Sequence, residues 1–181
     1  ILVTDWMMAS KSLLPLPDKW HGITDDDERY RKRYLDILMN PELKEIFIKK
    51  AQFWSSTRNF LLNEGFLEVE TPTLEITTGG AEARPFKAHH NDFDIDVYLR
   101  ISVGELWQKR LLAAGFPRVF EIGRVYRNEG SSPEHLQEFT NHEFYAAYMD
   151  YKEGMVFTER MLKQVVQETF GTYKFTIKEM E

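Results

Sequence analysis

The chain has 181 residues, no cysteine and a formal net charge of −6. This length is enough for a domain with a sizeable core, and the lack of cysteine excludes a disulfide framework and a thiolate metal site. The acidic balance argues against a protein that coats nucleic acid electrostatically, although a local basic patch can still serve such a partner. No apolar run reaches the ~20 residues of a membrane span, so we expect no membrane partner and a reducing, cytoplasmic setting.

The first 18 residues are typical of a linker. Pro15 and Pro17 alternate with leucines and forbid a helix, which favours an extended chain. The sequence starts at Ile1, without a methionine and without the basic segment and apolar core of a signal peptide. We therefore interpret it as a fragment or a processed product.

An amphipathic helix is predicted over residues 24–39. Thr24 is a suitable N-cap, acidic residues follow it, and the apolar side chains then share one stripe. The stripe consists of Tyr30, Tyr34, Ile37 and Leu38. Four basic residues lie mostly outside it, and we favour a solvated helix face for them over an RNA contact. They are Arg29, Arg31, Lys32 and Arg33.

The longest helix is predicted to begin at Asn40 and Pro41 and to end before Gly65. Asparagine is a good N-cap, proline suits the first helical position, and glycine supplies a C-terminal stop. Apolar residues recur between these ends at helical spacing, as expected for a helix packed on one side. Residues 66–71 then predict a strand, which Pro72 ends.

A loop with paired glycines, Gly79 and Gly80, follows at residues 77–83. Such a pair allows a ligand to approach the backbone closely, and it is also common in plain turns. The chain contains no GxxxxGK phosphate loop. Residues 84–101 predict two short strands, with residues 89–92 as their turn. The pair His89 and His90 has no third ligand at a zinc spacing, so we predict no metal site there.

Two more helices are predicted further along the chain. One covers residues 105–114 and is stopped by Gly115, with Glu105 in its first turn, where a carboxylate offsets the helix dipole. The other covers residues 150–170 and is stopped by Gly171, and its methionines are interpreted as core filler. A final strand is predicted at residues 173–177.

The centre of the chain is a predicted antiparallel hairpin. Two runs that alternate with period two, residues 119–127 and 139–145, flank Gly130, Ser131, Ser132 and Pro133. Side chains alternate faces along a strand, so Phe120 and Phe144 share an apolar face. The opposite face carries Arg127, Glu129, Phe139, Asn141, Glu143 and Tyr145. Such a face is either solvated or lines a cleft, and the aromatic rings among its charges favour the cleft. Together these elements predict an α+β fold with an antiparallel sheet flanked by helices.

The hairpin resembles motif 2 of the class II aminoacyl-tRNA synthetases. The residues that carry the likeness are Phe120-Glu121, Tyr126-Arg127-Asn128-Glu129, the Gly/Ser/Pro loop and Glu138-Phe139-Thr140. The continuation EFYAAY at residues 143–148 is similar to the lysine-specific branch. The long helix, the strand and Thr71-Pro72 resemble motif 1. One departure lies in the loop, where the family has His-Asn-Pro-Glu-Phe and this chain has HLQEF at residues 135–139.

The resemblance implies ATP as a ligand and assigns four residues to it. Arg127 would bridge the carboxylate of the amino acid and the α-phosphate. Glu129 would accept a hydrogen bond from the adenine amino group, and Phe139 would stack on adenine. His135 matches the position that touches the γ-phosphate.

Lysine is the second ligand that the resemblance implies. A backbone carbonyl near Gly80 would face its α-amino group, Glu105 and Glu143 would contact its amino groups, and Tyr145 would lie near the ε-ammonium. Activation of an amino acid is an attack of its carboxylate on the α-phosphorus of ATP. Positioning and electrostatics suffice for this reaction, in keeping with the absence of a Ser-His-Asp or Cys-His arrangement.

The resemblance covers nearly the whole chain but only the first part of a catalytic domain. Motif 3, with its second ATP-binding arginine, has no match in the 181 residues. We therefore expect the main Mg²⁺ ligands in a missing C-terminal part. Residues 1–18 would be the tail of an N-terminal OB-fold domain and its linker, and residues 19–181 a partial catalytic domain. The segment between Pro41 and Pro72 would form a homodimer interface, and tRNA-Lys would be the macromolecular substrate.

Three functional hypotheses follow. The first is part of a lysyl-tRNA synthetase, weak or inactive as it stands. The second is a truncated paralogue that serves as a dimerising binding or regulatory module. The third is a related enzyme that lysylates a protein, and the linker before Lys19, which resembles the exit from an anticodon-binding domain, argues against it.

Overall fold

The computed structural model describes residues 2–18, 22–132 and 134–174. Within them the helices are α1 (Asp26–Arg31), α2 (Arg33–Met39), α3 (Lys44–Asn63), α4 (Glu105–Ala113) and α5 (Tyr151–Phe170), with a 3₁₀ turn at Pro41–Leu43. The strands are β1 (Leu67–Glu68), β2 (Leu74–Glu75), β3 (Lys87–His90), β4 (Ile95–Leu99), β5 (Arg118–Tyr126) and β6 (Glu138–Ala146). The chain divides into two compact units, residues 1–51 and 52–181. Most of the strand predicted at residues 173–177 lies outside the described residues.

In the first unit, residues 2–17 form no helix or strand, as the two prolines predict. The single helix predicted over residues 24–39 is wrong, because Lys32 leaves helical geometry at φ −110° and ψ 45° and separates α1 from α2. The predicted N-cap is also wrong. Asp25, not Thr24, caps α1, since its carboxylate accepts the amide of Glu28 at 2.7 Å.

The apolar stripe predicted for this region does not form a core. Tyr30, Tyr34 and Leu38 are exposed. The fully buried side chain is Asp36, which accepts hydrogen bonds from Arg29, Arg33 and Asn40 at 3.1, 2.6 and 2.9 Å. Arg31 and Lys32 pair with Asp27 and Glu28 of the same region, in keeping with the solvated face that we favoured for the basic residues.

Helix α3 ends as its sequence predicts. The amide of Gly65 donates to the carbonyl of Leu62 at 3.1 Å, and that of Phe66 donates to Leu61 at 3.0 Å, which is a Schellman motif. Its start differs, since a 3₁₀ turn at Pro41–Leu43 precedes Lys44 and the Asn40 side chain caps nothing. The strand predicted at residues 66–71 is reduced to β1.

The six strands form two three-stranded sheets, ordered β1-β5-β6 and β2-β4-β3. Strands β5 and β6 pair antiparallel over nine residue pairs, from Arg118 opposite Ala146 to Tyr126 opposite Glu138, so the predicted hairpin is confirmed. The α+β class is confirmed as well, although β1 joins β5 in parallel. The two strands predicted at residues 84–101 are present as β3 and β4, but the histidine pair belongs to β3 and the turn falls at residues 91–94.

One face of the hairpin lies on the core of the second unit. Phe120 is fully buried there, with Ile122 and Phe144 packed beside it. Helices α3 and α5 cover this face through Phe60, Leu61, Phe157, Met161 and Val165. A capping box between Asp150 and Glu153 starts α5, and its inward stripe then meets the hairpin. The other face of the hairpin is left for polar side chains.

Candidate functional site

The polar face brings Arg127 next to Phe139. Phe139 is the register partner of Val125, and the guanidinium carbon of Arg127 lies 5.3 Å from the centre of the Phe139 ring. The Nε of Arg127 donates to the carbonyl of Ile101 at 3.3 Å. In the described part of the chain, the two terminal nitrogens of Arg127 donate no hydrogen bond to the protein. A planar cation fixed at one edge and open at the other is suited to an oxyanion.

A cavity of about 310 Å³ lies between this pair and the hairpin loop. Its lining includes all four residues that the resemblance assigns to ATP, namely Arg127, Glu129, His135 and Phe139. The volume is at the lower end of the range for small-molecule sites. A larger groove of about 970 Å³ runs along α5, but its lining is mainly apolar and includes none of the predicted site residues. The smaller cavity is the better candidate because the charged groups converge on it.

Hydrogen bonds shape the loop around the cavity. The carbonyl of Gln137 accepts the amide of Arg127 at 2.8 Å, and the Gln137 side chain donates to the carbonyl of Glu129 at 3.1 Å. Ser132 Oγ lies 2.7 Å from Nδ1 of His135. Glu129 is exposed, and its carboxylate accepts the amide of Arg84 at 3.3 Å. Gln137 occupies the loop position where the resembling family carries proline. Its side chain holds the loop by the hydrogen bond to Glu129.

A second group of polar side chains lies further along β6. Glu143 accepts the amide of Val103 and the side chain of Asn141, both at 3.2 Å. Burial raises the pKa of Glu143 and Glu105 raises it further, while the hydrogen bond from the Val103 amide and the charge of Arg127 oppose the rise. Burial, with the nearby Glu143 and Glu105 carboxylates, also raises the pKa of Tyr145 to about 12. This cluster favours a bound cation, and Arg127 links it to the cavity.

The glycine loop lies against the same cluster. Gly80 has φ +88°, and a Cβ there would collide with the hydroxyl of Ser102 and approach the carboxylate of Glu105. The Ser102 hydroxyl donates to the carbonyl of Gly79 at 2.8 Å, while Glu105 also pairs with Lys109. The five residues that the resemblance assigns to lysine thus lie around one region, namely Gly80, Glu105, Arg127, Glu143 and Tyr145.

Sequence reasoning missed a buried ion pair beside this region. Arg100 and Glu121 are each 4% exposed, and their charged atoms are 2.5 Å apart. The only sequence signal was the position of Glu121, which alternation puts on the same face as Arg127 and Glu143. No pattern marked Arg100, which follows β4.

The described residues contain no group of three His, Asp or Glu side chains that could hold a metal ion. None of their helices is both long enough and apolar enough to cross a bilayer.

A family model described as tRNA synthetases class II (D, K and N) matches residues 25–181. The chain belongs to this family. It is 48% identical over 176 residues to the lysine–tRNA ligase of Thermosynechococcus vestitus, with 97% of this chain and 35% of that protein covered.

Other relatives carry the same name. Identity is 52% over 172 residues to the lysine–tRNA ligase of Prochlorococcus marinus (strain MIT 9215), covering 95% of this chain and 33% of that protein. It is 51% over 181 residues to that of Thermoanaerobacter sp. (strain X514), covering 100% of this chain and 36% of that protein. The chain therefore spans about a third of the length of these synthetases.

Proposed function

We propose that this chain is the ATP- and lysine-binding first part of a lysine–tRNA ligase catalytic domain. The observation that carries the proposal is the stacking of Arg127 on Phe139 at a cavity that Glu129 and His135 also line. These groups suit a purine nucleotide: the aromatic ring can stack on the base, the carboxylate can accept from an amino group of the base, and the nitrogen groups can contact the phosphates. The names of the relatives add lysine and tRNA as the further substrates.

In the proposed reaction, a carboxylate oxygen of lysine attacks the α-phosphorus of ATP. A new P–O bond forms, the bond to the β-phosphate oxygen breaks, and pyrophosphate leaves with that electron pair. Arg127 holds the attacking carboxylate and the α-phosphate together and balances the charge that develops on the phosphoryl oxygens. Phe139 stacks on the base, Glu129 accepts from the adenine amino group, and His135 contacts the γ-phosphate.

Specificity for lysine is proposed to come from the carboxylates beside the glycine loop. The carboxylate of Glu105 raises the pKa of Glu143, and a ligand with two ammonium groups relieves the repulsion between them. The Tyr145 phenol, whose pKa is raised to about 12, is protonated at neutral pH and can donate a hydrogen bond or contact the ε-ammonium through its ring. The backbone at Gly80 is open to the α-amino group.

Other parts of the proposal concern features outside this cavity. Mg²⁺, which neutralises phosphate charge when bound, finds no group of three ligands among the described residues, and we propose that its main ligands come from outside this chain. We also propose that tRNA-Lys is the acceptor of the lysyl group and that the protein is cytoplasmic. Residues 1–18 are proposed to be the tail of an OB-fold domain and its linker, and residues 19–181 a partial catalytic domain.

A homodimer through the segment between Pro41 and Pro72 completes the proposal. Large apolar side chains of this segment are exposed, namely Ile46, Phe47, Ile48, Leu62 and Leu67. Several large apolar side chains exposed within one segment favour a protein interface. The same observation favours the second hypothesis, a dimerising module without catalysis, so sedimentation together with nucleotide binding separates the two. A dimer that binds no ATP supports the module.

The test of the proposed function is ATP binding by the chain, measured by titration calorimetry. Phe139→Ala should weaken ATP binding by about tenfold through lost stacking, and Arg127→Ala by about tenfold or more through lost charge-assisted hydrogen bonds. Arg124→Ala is the matched control, because Arg124 lies on β5 three residues before Arg127, is exposed and pairs with Glu138 on the opposite face.

The reaction itself is measured by lysine-dependent exchange of pyrophosphate into ATP. We expect weak or no exchange, because the second ATP-binding arginine of the family is absent from these 181 residues. Robust exchange would contradict that expectation. Equal ATP affinities for the chain and its Phe139→Ala and Arg127→Ala variants would overturn the assignment of the cavity.

A further inference from the structure

We propose that Arg100 and Glu121 are positioning residues for the candidate site. They hold the four residues 100–103 against the hairpin, and this segment in turn places Arg127, Glu143 and the glycine loop. The inference deepens the proposed function, on which it rests for the identity of the ligands. The geometry of the segment stands without it.

The ion pair is buried, and hydrogen bonds hold both of its side chains. Nη1 of Arg100 donates to Glu121 at 2.5 Å and to Oγ1 of Thr71 at 3.2 Å, and its Nε donates to the carbonyl of Arg124 at 2.8 Å. The other oxygen of Glu121 accepts the Thr71 hydroxyl at 2.6 Å and the Thr71 amide at 3.2 Å. Since either charge alone would be costly to bury, the two side chains and Thr71 fix one another.

Strand β5 is shaped to receive the arginine. A Cβ on Gly123 would collide with the guanidinium of Arg100. The glycine therefore lets Arg100 lie flat against the strand between Glu121 and Val125, on the face that leads to Arg127. Because the guanidinium of Arg100 approaches the backbone so closely, this position of β5 requires glycine, although the rest of the strand carries larger side chains.

Residues 100–103 then contact a different part of the site at each position. The carbonyl of Arg100 accepts the amide of Tyr126 at 2.9 Å, directly before Arg127. The carbonyl of Ile101 accepts Nε of Arg127 at 3.3 Å. Ser102 donates to the carbonyl of Gly79 at 2.8 Å, and the amide of Val103 donates to Glu143 at 3.2 Å. All four residues are buried.

A second ion pair of the same unit shows what a plain structural bridge looks like. Arg58 on α3 and Glu68 on β1 are 2.9 Å apart, and both side chains are a third or more exposed. The side-chain hydrogen bonds of Arg58 join it to Glu68 and not to a predicted site residue. A buried ion pair adds little stability over apolar side chains, whereas it does define one arrangement of the segments that it joins. The Arg100–Glu121 pair has both the burial and the connections expected for positioning.

Two NMR signals report on the segment directly. They are the side-chain Nε–H of Arg127, which the Ile101 carbonyl accepts, and the backbone amide of Val103, which Glu143 accepts. In Glu121→Gln, which keeps the size of the side chain and removes its charge, we expect both signals to shift and both hydrogens to exchange faster with solvent. ATP and lysine should bind about tenfold more weakly, as expected when reactive groups are displaced by a fraction of an ångström.

The matched control is Glu68→Gln, which removes the charge of the exposed pair and should leave both signals and both affinities unchanged. Where Glu121→Gln does not fold, Thr71→Val tests the same ion pair, since it keeps the side-chain shape and removes the hydroxyl that donates to Glu121 and accepts from Arg100. A folded variant with unchanged signals, or with moved signals and unchanged affinities, overturns the proposal. If the parent chain binds neither ligand, the proposed function fails, and the two signals alone decide whether the pair positions Arg127 and Glu143.

Discussion

The two faces of the β5–β6 hairpin use alternate residues of the same strands, yet they are stabilised in different ways. The core face buries Phe120 and Phe144 against helices and gains free energy mainly by removing apolar surface from water. The site face holds Arg127 and Glu143 half-buried, and the backbone of a neighbouring segment satisfies part of their hydrogen bonding. One face is therefore expected to determine stability and the other to determine binding.

The adjacent residues His142 and Glu143 show the same difference between the core face and the site face. His142 lies on the core face, stacked beside Phe144, and burial lowers its pKa from 6.5 to about 4. Glu143 follows it on the site face, where burial and Glu105 raise its pKa. Both residues are pushed towards their neutral forms. Only Glu143 has a recorded charged neighbour, Arg127, that favours its ionised form.

The largest expected effect comes from truncating the core face. Phe120→Ala should lower the free energy of unfolding by about 3–5 kcal/mol, because a fully buried ring is replaced by a cavity among tightly packed neighbours. Urea unfolding measures the loss. The same truncation on the site face, Phe139→Ala, should cost less than about 1 kcal/mol because that ring is only half-buried. Similar losses of stability at both positions would contradict the view that the core face determines stability and the site face determines binding.

The next effect is a pH dependence carried by His142. Its pKa is about 4 in the folded chain against about 6.5 unfolded, so the unfolded chain binds more protons between these values. Stability should therefore be full above about pH 6.5 and fall as the pH drops towards 4, by up to about 3 kcal/mol. Unfolding of the parent chain and of His142→Leu at several pH values isolates this contribution. An identical pH profile for the two chains would rule it out.

A smaller effect of opposite sign is expected at Glu143. Its pKa is raised in the folded chain, so its contribution to stability is full below the unfolded pKa and is lost as the pH rises through the folded pKa. Glu143→Gln should therefore leave stability at neutral pH unchanged or slightly higher, while lysine binding is lost. Thermal unfolding and lysine titration measure the two properties. Glu138→Gln on the exposed opposite side is the control, and a destabilised Glu143→Gln that still binds lysine would contradict this prediction.

What the sequence could predict follows from how local each feature is. The hairpin and the shared side of Arg127 and Phe139 come from a two-residue period, which needs only neighbouring residues. The ends of α3 and α5 come from single glycines, Gly65 and Gly171. The roles assigned to Glu129 and His135 came only from resemblance, since charge alone does not distinguish a solvated residue from a ligand contact.

The features that the sequence missed depend on distant partners. Arg100 and Glu121 lie 21 residues apart and meet only because the segment that follows β4 lies against β5. Asp36 is buried because Arg29 and Arg33 reach it from both sides of a break at Lys32, which no propensity marks. Polar groups are expected at the surface by default, so burial through pairing is the hardest feature to read from composition or periodicity.

The smallest expected effect concerns the exposed pair Arg124–Glu138 at the loop end of the hairpin. The two side chains are both more than half exposed, and their charged atoms are 3.6 Å apart. Solvent screens such a pair, so Arg124→Ala should change the free energy of unfolding by less than about 0.5 kcal/mol and leave ATP binding unaltered. Arg127 is three residues further along the chain and on the opposite face. A double-mutant cycle on Arg124 and Glu138, run beside Arg127→Ala, measures both properties. A coupling above about 1 kcal/mol would mean that pairing at the loop end sets the register of the hairpin, and the site face would then depend on its opposite face as well as on residues 100–103.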